Sequence, residues 1–162
     1  MLYYQITCKP DGKTELALAA PAVDFDPLAI ARPDIKNPHQ LWELVGFANV
    51  DEDDKAVWNA FYLFNKHTGR VAQAPHDPQE KVTPDSRPVS QADIKDSYNV
   101  VSGVRLWTLD PAKAGFAIRP LGDVHQNLNA WDRRAEPGVE VGIWKWQGGR
   151  PNEIWGFHPI WL

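Results

Sequence analysis

The sequence predicts an all-β fold built from many short strands. Its 14 prolines and 11 glycines are spread over 162 residues and interrupt almost every window in which a helix could grow. Short apolar runs alternate with turn signals along the whole chain, which is typical of a β-barrel or a β-sandwich. A chain of this length is expected to fold as one domain that buries most of its apolar surface.

A threefold repeat favours a barrel over a sandwich. Each repeat has a short apolar run, a polar turn with Gly or Asp, and a second run that alternates apolar with other residues. The three segments are ITCKPDGKTELAL (6–18), YLFNKHTGRVAQA (62–74) and IRPLGDVHQNLNA (118–130), and their starts are 56 residues apart both times. Alternation around such a turn predicts a β-hairpin in each segment.

A tryptophan recurs later in each repeat. The segments HQLWEL (39–44), VRLWTL (104–109) and NEIWGF (152–157) each place a branched aliphatic residue before Trp42, Trp107 and Trp155. Because the three indoles occupy one repeated position, we expect them in the core. The spacings of 65 and 48 residues require an insertion, and the polar, Pro-containing segment 76–88 supplies it.

These repeats predict a β-trefoil, a barrel of three four-stranded units with pseudo-threefold symmetry around one core. The units are expected at about 1–48, 56–112 and 114–162, with an insertion loop at 76–99, all within a single domain 1–162. A unit of this size cannot cover its apolar face alone, so no separate domains are expected.

Composition argues against several function classes. The net charge is −4 and no basic stripe occurs, so nucleic acid is not an expected partner. No apolar run is long enough to span a membrane. The N-terminus lacks the pattern of a secretory signal, no Asn-X-Ser/Thr sequon occurs, and Cys8 is the single cysteine. These features favour the cytoplasm and nucleus.

Catalytic and metal-binding motifs are not found in the sequence. There is no nucleophile elbow, no His-Glu-x-x-His and no phosphate-binding glycine loop, so an enzyme is not expected. The run DEDD (51–54) lacks the glycine and the spaced carboxylates of a calcium loop, which favours a solvated loop. No cofactor, metal site or catalytic residue is therefore predicted.

The pattern resembles the Euonymus lectin domain, within the ricin-B-like lectins. The segments that carry the resemblance are ITCKPD, AFYLFNKHTGRVAQ (60–73), VRLWT (104–108), NLNAW (127–131) and IWKWQGG…NEIW (143–155), in the expected order over almost the whole chain. The resemblance implies a non-enzymatic protein of the nucleus and cytoplasm, often linked with stress in plants, that binds galactose- or mannose-containing glycans. It also implies sites with an Asp on the first hairpin, an aromatic ring on the next strand, and an Asn or Gln before the last Trp.

Only the third unit has a complete set of such residues. The repeat aligns Ala17, Gln73 and Asn129 at the hairpin position, Ala31, Gln91 and Trp144 at the ring position, and His39, Val104 and Asn152 before the last Trp. A sugar stacks its apolar face on a ring and pairs its hydroxyls with amides or carboxylates. The sequence therefore predicts one carbohydrate site per chain, formed by Asn129, Trp131, Trp144, Asn152 and Glu153.

Two residues of this set depart from the usual pattern. Asn129 stands where Asp is usual and Glu153 where Gln is common, so an Asp–Gln pair is expected to become an Asn–Glu pair within hydrogen-bond reach. Asn129 can donate where Asp only accepts, which affects the choice of sugar. Trp131 is expected at the pocket wall or at the barrel rim, and Trp146 is expected to turn inward.

Two other functions remain open at this stage. A trefoil protease inhibitor would present the 76–88 loop, with Arg87 before Pro88, to an enzyme. A lectin-like scaffold that has lost sugar binding would also fit Asn129. With one complete site, the protein is expected to be a monomer or a weak homodimer that binds glycans or glycoproteins reversibly.

Overall fold

The computed structural model describes residues 1–23, 26–51, 57–94 and 101–162, and within them the chain is almost entirely β-structure. Twelve strands and three short 3-10 helices occur in these described ranges. The strands are β1 (Leu2–Cys8), β2 (Leu16–Ala19), β3 (Ala29–Ala31), β4 (Leu41–Asp51), β5 (Val57–Asn65), β6 (Val71–Gln73), β7 (Ser90–Ala92), β8 (Trp107–Ala112), β9 (Gly115–Pro120), β10 (Gln126–Ala130), β11 (Val141–Lys145) and β12 (Gly156–Trp161). The 3-10 helices are η1 (Pro38–Gln40), η2 (Trp131–Arg133) and η3 (Pro151–Glu153).

Six of these strands close into a barrel. Antiparallel pairing runs from β1 to β4, β5, β8 and β9 in turn, and β12 pairs with β1. A bridge between Phe116 and Trp155 joins β9 to the start of β12 and completes the ring. Closure leaves no free sheet edge in the ring, which the predicted barrel requires.

The other six strands form three hairpins that meet at the pseudo-threefold axis. The hairpins are β2–β3, β6–β7 and β10–β11. The Leu28 N–H donates to the Val89 carbonyl at 2.9 Å, Val89 to Val141 at 2.8 Å, and Val141 back to Leu28 at 3.0 Å. This closed triangle of backbone hydrogen bonds relates the three units to one another.

The three repeated tryptophans lie in the core, as predicted. Trp42, Trp107 and Trp155 are each 0 % exposed and belong to one apolar cluster with the hairpin strands. Each indole Nε1 donates a 3.0 Å hydrogen bond to a backbone carbonyl of its own unit. The acceptors are the carbonyl oxygens of Leu18, Ala72 and Leu128.

These bonds correct the predicted register of the first unit. The turn between β1 and β2 spans residues 9–15, whereas the equivalent turns in the other units span 66–70 and 121–125. The first unit is therefore two residues longer here, and the hairpin position is held by Ala19, Gln73 and Asn129. The predicted Ala17 is wrong, because the longer β1–β2 turn shifts the equivalent position of the first unit by two residues.

The ring position of the second unit shifts by one residue. Counting three residues beyond each corner of the triangle gives Ala31, Ala92 and Trp144. Each pairs across its hairpin with a residue at one equivalent position: Ala17, Val71 and Asn127. Ala92 thus replaces the predicted Gln91, and neither of the first two units has a ring at this position.

The insertion packs against the barrel. Strand β7 falls within the predicted loop 76–99, so the long connection ends before Ser90; residues 95–99 lie outside the described ranges. The Asp85 N–H donates to Gln126 Oε1 at 2.9 Å, and Ser86 forms a bridge with Ile143 on β11. The insertion therefore borders the third unit, where it supports the hairpin β10–β11.

The described residues contain no helix that is long and apolar enough to cross a membrane. They also contain no group of three or more His, Cys, Asp or Glu side chains that could hold a metal ion. Residues 52–54 of the DEDD run lie outside the described ranges.

Candidate functional site

An open pocket of about 330 Å³ lies on the third unit. Trp131 and Trp144 form its aromatic wall, with ring centroids 5.6 Å apart and planes at 84°. Such an edge-to-face pair contributes about 0.5–1.5 kcal/mol beyond area burial and so helps to hold both rings in place. Both indoles are half-buried, so each has surface available to a ligand.

The floor of the pocket is an amide pair. Asn152 Nδ2 donates to Asn129 Oδ1 at 2.8 Å and to the Ala130 carbonyl at 3.1 Å. Because the backbone carbonyl can only accept, this network fixes the orientation of both amides. Asn129 and Asn152 are 7 % and 6 % exposed, and both line the pocket.

Charged and polar side chains form the rim. Asp132 and Arg133 follow the Trp131 ring, while Gln147 and Arg150 flank the turn before η3, and all four are exposed. Asp132 and Arg133 have φ angles of 57° and 54°, a left-handed conformation that costs a non-glycine residue about 1–2 kcal/mol. This strain sits at the rim of the pocket.

Glu153 does not line the pocket, although it was predicted to be part of it. Its side chain is 1 % exposed and lies beneath the turn. One carboxylate oxygen accepts from the Arg150 N–H at 3.0 Å, and the Gln147 N–H is 3.0 and 3.1 Å from the two oxygens. Asn127 Nδ2 donates to Oε2 at 3.2 Å. The predicted Asn129–Glu153 pair is wrong, because Asn152 is the residue that meets Asn129.

The first unit shows that a buried side chain at the Glu153 position stabilises the turn. Gln40 holds the equivalent position, two residues before the core tryptophan, and is 1 % exposed. Its Oε1 accepts from the Asp34 N–H at 2.8 Å and from Gln5 Nε2 at 3.1 Å. The first unit has no ring at its surface position, so this buried side chain serves the turn and not a ligand.

A glycine makes room for Trp131. A Cβ atom on Gly142 would lie 2.6 Å from both Cε3 and Cζ3 of the Trp131 ring and 2.8 Å from the Ser86 carbonyl oxygen. Gly142 pairs with Asn129 across the hairpin, and the equivalent residues of the other units are Ala29 and Ser90. Sequence reasoning missed Gly142; the signal was a lone glycine within the strand pattern VEVGIWK.

The turn WQGGRPNEIW brings the amide floor back to the rings. Gly148 and Gly149 have φ angles of 80° and 89°, which glycine adopts without a Cβ penalty. The chain therefore reverses tightly between Trp146 and Asn152. Glu153 fixes both sides of this reversal through the Gln147 and Arg150 N–H groups.

Trp146 was expected to turn inward, and that expectation is wrong. It is half-buried and absent from the apolar core, and the Arg119 guanidinium lies 5.2 Å from its ring centroid. It lines a separate hollow of about 480 Å³. The strand ends just before Trp146, and its ring packs against Arg119 outside the core, which contains Trp155.

The equivalent surfaces of the other two units lack this set of side chains. The first unit has Ala19, Ala31 and His39, so it has neither the ring nor the amide pair. In the second unit Ala92 stands at the ring position and Val104 at the floor, while Gln73 Oε1 accepts from Arg105 Nε at 3.1 Å. Among the described residues, the predicted combination of ring and amides occurs in the third unit.

Arg87, the residue considered for protease inhibition, packs on the back of the site. Its guanidinium lies 5.3 Å from the Trp131 ring centroid, and its Nε is 3.8 Å from a Glu140 carboxylate oxygen. The side chain is exposed and lies beside the third unit. Arg87 contributes to the support of Trp131.

Comparison with known proteins establishes the fold. No protein-family model and no curated protein matches the sequence. Solved structures do match, among them ThreeFoil, a designed threefold-symmetric protein, with 18 % identity, a TM-score of 0.70 and 96 % of each chain covered. The Rhizoctonia solani agglutinin matches with 16 % identity and a TM-score of 0.66, covering 96 % of this chain and 92 % of its own.

An earthworm R-type lectin C-half, solved in complex with GalNAc, matches with 15 % identity, a TM-score of 0.62 and 98 % of each chain covered. The chain is a β-trefoil. The fold predicted from the threefold repeat is therefore confirmed, whereas membership of the Euonymus lectin family stays a prediction, since similarity at this level of identity concerns the fold.

Proposed function

We propose that this β-trefoil is a carbohydrate-binding protein without catalytic activity, which binds one glycan through the third-unit pocket. The observation that carries the proposal is the half-exposed Trp144–Trp131 wall directly beside the Asn129–Asn152 amide pair. The sequence predicted these four residues together with Glu153, whose side chain instead lies beneath the turn.

The pocket matches the two chemical faces of a pyranose. The C–H face of the sugar stacks on an indole, and its hydroxyls pair with polar atoms of fixed direction at the edge of the ring. Asn129 and Asn152 are held by each other and by the Ala130 carbonyl, so little ordering is needed when a sugar binds. The edge-to-face contact fixes the two indoles in the same way.

A shallow site of this kind supports a modest affinity. We expect a binding free energy of about −4 to −6 kcal/mol, which corresponds to a dissociation constant between about 1 mM and tens of micromolar. Stronger attachment would need clustered glycans or a weak homodimer that presents two sites. Galactose- and mannose-containing glycans are the first ligands to test, as the Euonymus lectin resemblance implies.

Two proteins of similar structure are consistent with this proposal. The earthworm R-type lectin binds GalNAc, and the Rhizoctonia solani protein is an agglutinin. The Euonymus lectin family and a location in the cytoplasm and nucleus belong to the same proposal. They rest on the sequence features given above.

The test is glycan binding by wild type and three single variants. Trp144→Ala removes the stacking ring and is expected to lower affinity at least tenfold, while Trp144→Phe restores part of it. Trp146→Ala is the matched control, because it removes an indole that directly follows the same strand but lies outside the pocket.

A glycan array identifies the ligand, titration gives the affinity, and thermal melting checks that each variant is folded. Equal binding by wild type and a folded Trp144→Ala protein would refute the proposed site. An array without any bound glycan would favour the scaffold that has lost sugar binding.

A further inference from the structure

The third-unit pocket contains hydrogen-bond donors and acceptors, and the acceptors include the Asp132 carboxylate and the buried Asn152 Oδ1, which has no hydrogen-bond partner among the described residues. Asn129 Oδ1 is already occupied by Asn152 Nδ2 at 2.8 Å, so the Asn129 amide has its N–H groups left for a ligand. An Asp at this position would offer a second acceptor oxygen instead. The hydrogen-bond network therefore makes this position a donor.

Two guanidinium groups on the rim add to this donor character. Arg133 and Arg150 line the pocket, and neither makes a side-chain hydrogen bond or ion pair with another described residue. Each carries five N–H donors and a positive charge, and no acceptor. The pocket thus has two cationic donors that the protein itself does not neutralise.

The neighbouring arginines on the other side of Trp131 differ. Arg134 Nη2 lies 2.6 Å from a Glu136 carboxylate oxygen, and Arg87 is paired with Glu140. The hydrogen bond from Arg134 to Glu136 and the nearby negative charges of Glu136 and Asp132 raise the pKa of the Arg134 guanidinium. Asp132 is exposed on the pocket rim and is the one carboxylate among the residues that line the pocket, against the two arginines Arg133 and Arg150.

The remaining acidic group, Glu153, offers no acceptor to a ligand. It is 1 % exposed, and its oxygens already accept from the Gln147 and Arg150 N–H groups and from Asn127 Nδ2. Hydroxyl groups both donate and accept, whereas carboxylate and sulfate oxygens only accept. Because two guanidinium groups line the pocket against one carboxylate, an anionic group matches it better than a hydroxyl does.

We propose that the third-unit pocket prefers glycans that carry an anionic group, either the carboxylate of an acidic sugar or a sulfate ester, over their neutral counterparts. This inference rests on the proposed function and names the ligand class of the same site. The sugar ring stacks on the indole wall, and the anionic group receives hydrogen bonds from Arg133, Arg150 and Asn129. Hydrogen bonds to an ionised partner are about twice as strong as neutral ones.

The test compares three sugars that share one ring: methyl β-galactoside, its uronic acid and its 6-sulfate. Each is titrated into isotope-labelled wild-type protein and followed by NMR. We expect at least one acidic ligand to bind about 5- to 20-fold more tightly than the neutral galactoside. The uronic acid and the 6-sulfate tell the two sources of anionic charge apart.

Four substitutions separate local contact from general charge. Arg133→Met and Arg150→Met are each expected to weaken acidic binding about 3- to 10-fold and thereby to lower the preference for the acidic over the neutral galactoside. Arg134→Met removes the same charge one residue away, from an arginine already paired with Glu136, and is expected to leave both affinities unchanged. Asn129→Asp replaces the amide donor by an acceptor and is expected to weaken acidic binding more than neutral binding.

The outcomes distinguish this inference from the proposed function. Neutral binding equal to or tighter than both acidic ligands overturns the inference and leaves carbohydrate binding intact. An Arg134→Met effect as large as that of Arg133→Met also overturns it, because the cause would then be the general field. Absence of binding by all three sugars, together with an array without any bound glycan, removes both proposals.

Discussion

The first and third units build the same frame and differ at the surface. Trp42 and Trp155 are both fully buried, and each donates a 3.0 Å hydrogen bond to the carbonyl of an equivalent leucine. Gln40 and Glu153 are both buried beneath equivalent turns. At the surface, however, Ala31 of the first unit corresponds to Trp144 of the third.

This comparison separates the residues that hold the trefoil from those that form the pocket. The frame needs a core indole, a backbone triangle and a buried side chain beneath the turn, and both units have all three. The pocket additionally needs two rings, an amide pair and a glycine that accommodates Trp131. These are concentrated in the third unit, so binding is expected there alone among the surfaces described.

The largest contrast is expected between the two tryptophans of the third unit. Trp155→Ala leaves a cavity in the core and an unpaired Leu128 carbonyl, which should lower the free energy of unfolding by about 3–5 kcal/mol. Trp144→Ala removes a half-exposed ring and should cost less than about 1.5 kcal/mol. Chemical denaturation monitored by circular dichroism measures both, and equal losses would mean that Trp144 is part of the core.

A second contrast concerns the buried side chains beneath the turns. Glu153→Ala and Gln40→Ala each leave buried N–H groups without their acceptor and should lower the free energy of unfolding by about 2 kcal/mol. Only Glu153→Ala should also weaken glycan binding, because it releases the Gln147–Arg150 turn at the pocket. Denaturation and glycan titration are measured on both variants. Loss of binding in Gln40→Ala, which lies in the first unit, would argue against a single site in the third unit.

The third contrast tests the space beneath Trp131. Gly142→Ala places a Cβ 2.6 Å from the ring and must displace it, so glycan affinity should fall about tenfold at a cost of roughly 1 kcal/mol in stability. Ala29→Gly, at the equivalent position of the first unit, is the matched control and should not change binding. Titration of both variants with the best array ligand measures the effect. Unchanged affinity in Gly142→Ala would show that Trp131 does not contribute to the site.

Sequence patterns predicted the barrel because its determinants recur. The three Leu-Trp or Ile-Trp pairs indicate the core positions, and the repeated turn segments indicate the hairpins. A repeat found by inspection was therefore enough to predict the trefoil. The register failed in the first unit because its β1–β2 turn is two residues longer, and a polar turn of variable length leaves no periodic signal. The insertion hid the single-residue shift from Gln91 to Ala92 for the same reason.

For the third-unit pocket, sequence reasoning predicted the rings and amides at the centre and missed the arginines on the rim. Asn129, Trp144 and Asn152 were recognised because rings and amides have distinctive chemistry and fall at repeated positions. Trp131 was included through the segment NLNAW, which carries part of the resemblance to the Euonymus lectin domain. Arg133 lies in a left-handed turn that only the folded chain shows. Glu153 was misplaced, because sequence spacing cannot tell whether a polar side chain points to the pocket or beneath the turn.

Indole NMR on tryptophan-labelled protein tests the central claim most directly. During titration with a bound glycan, the Nε1–H signals of Trp144 and Trp131 should shift, whereas those of Trp42, Trp107 and Trp155 should stay within the range seen for a non-binding sugar. Assignment uses single Trp→Phe variants. Shifts confined to other indoles, with the Trp144 signal unchanged at saturation, would contradict the third-unit site.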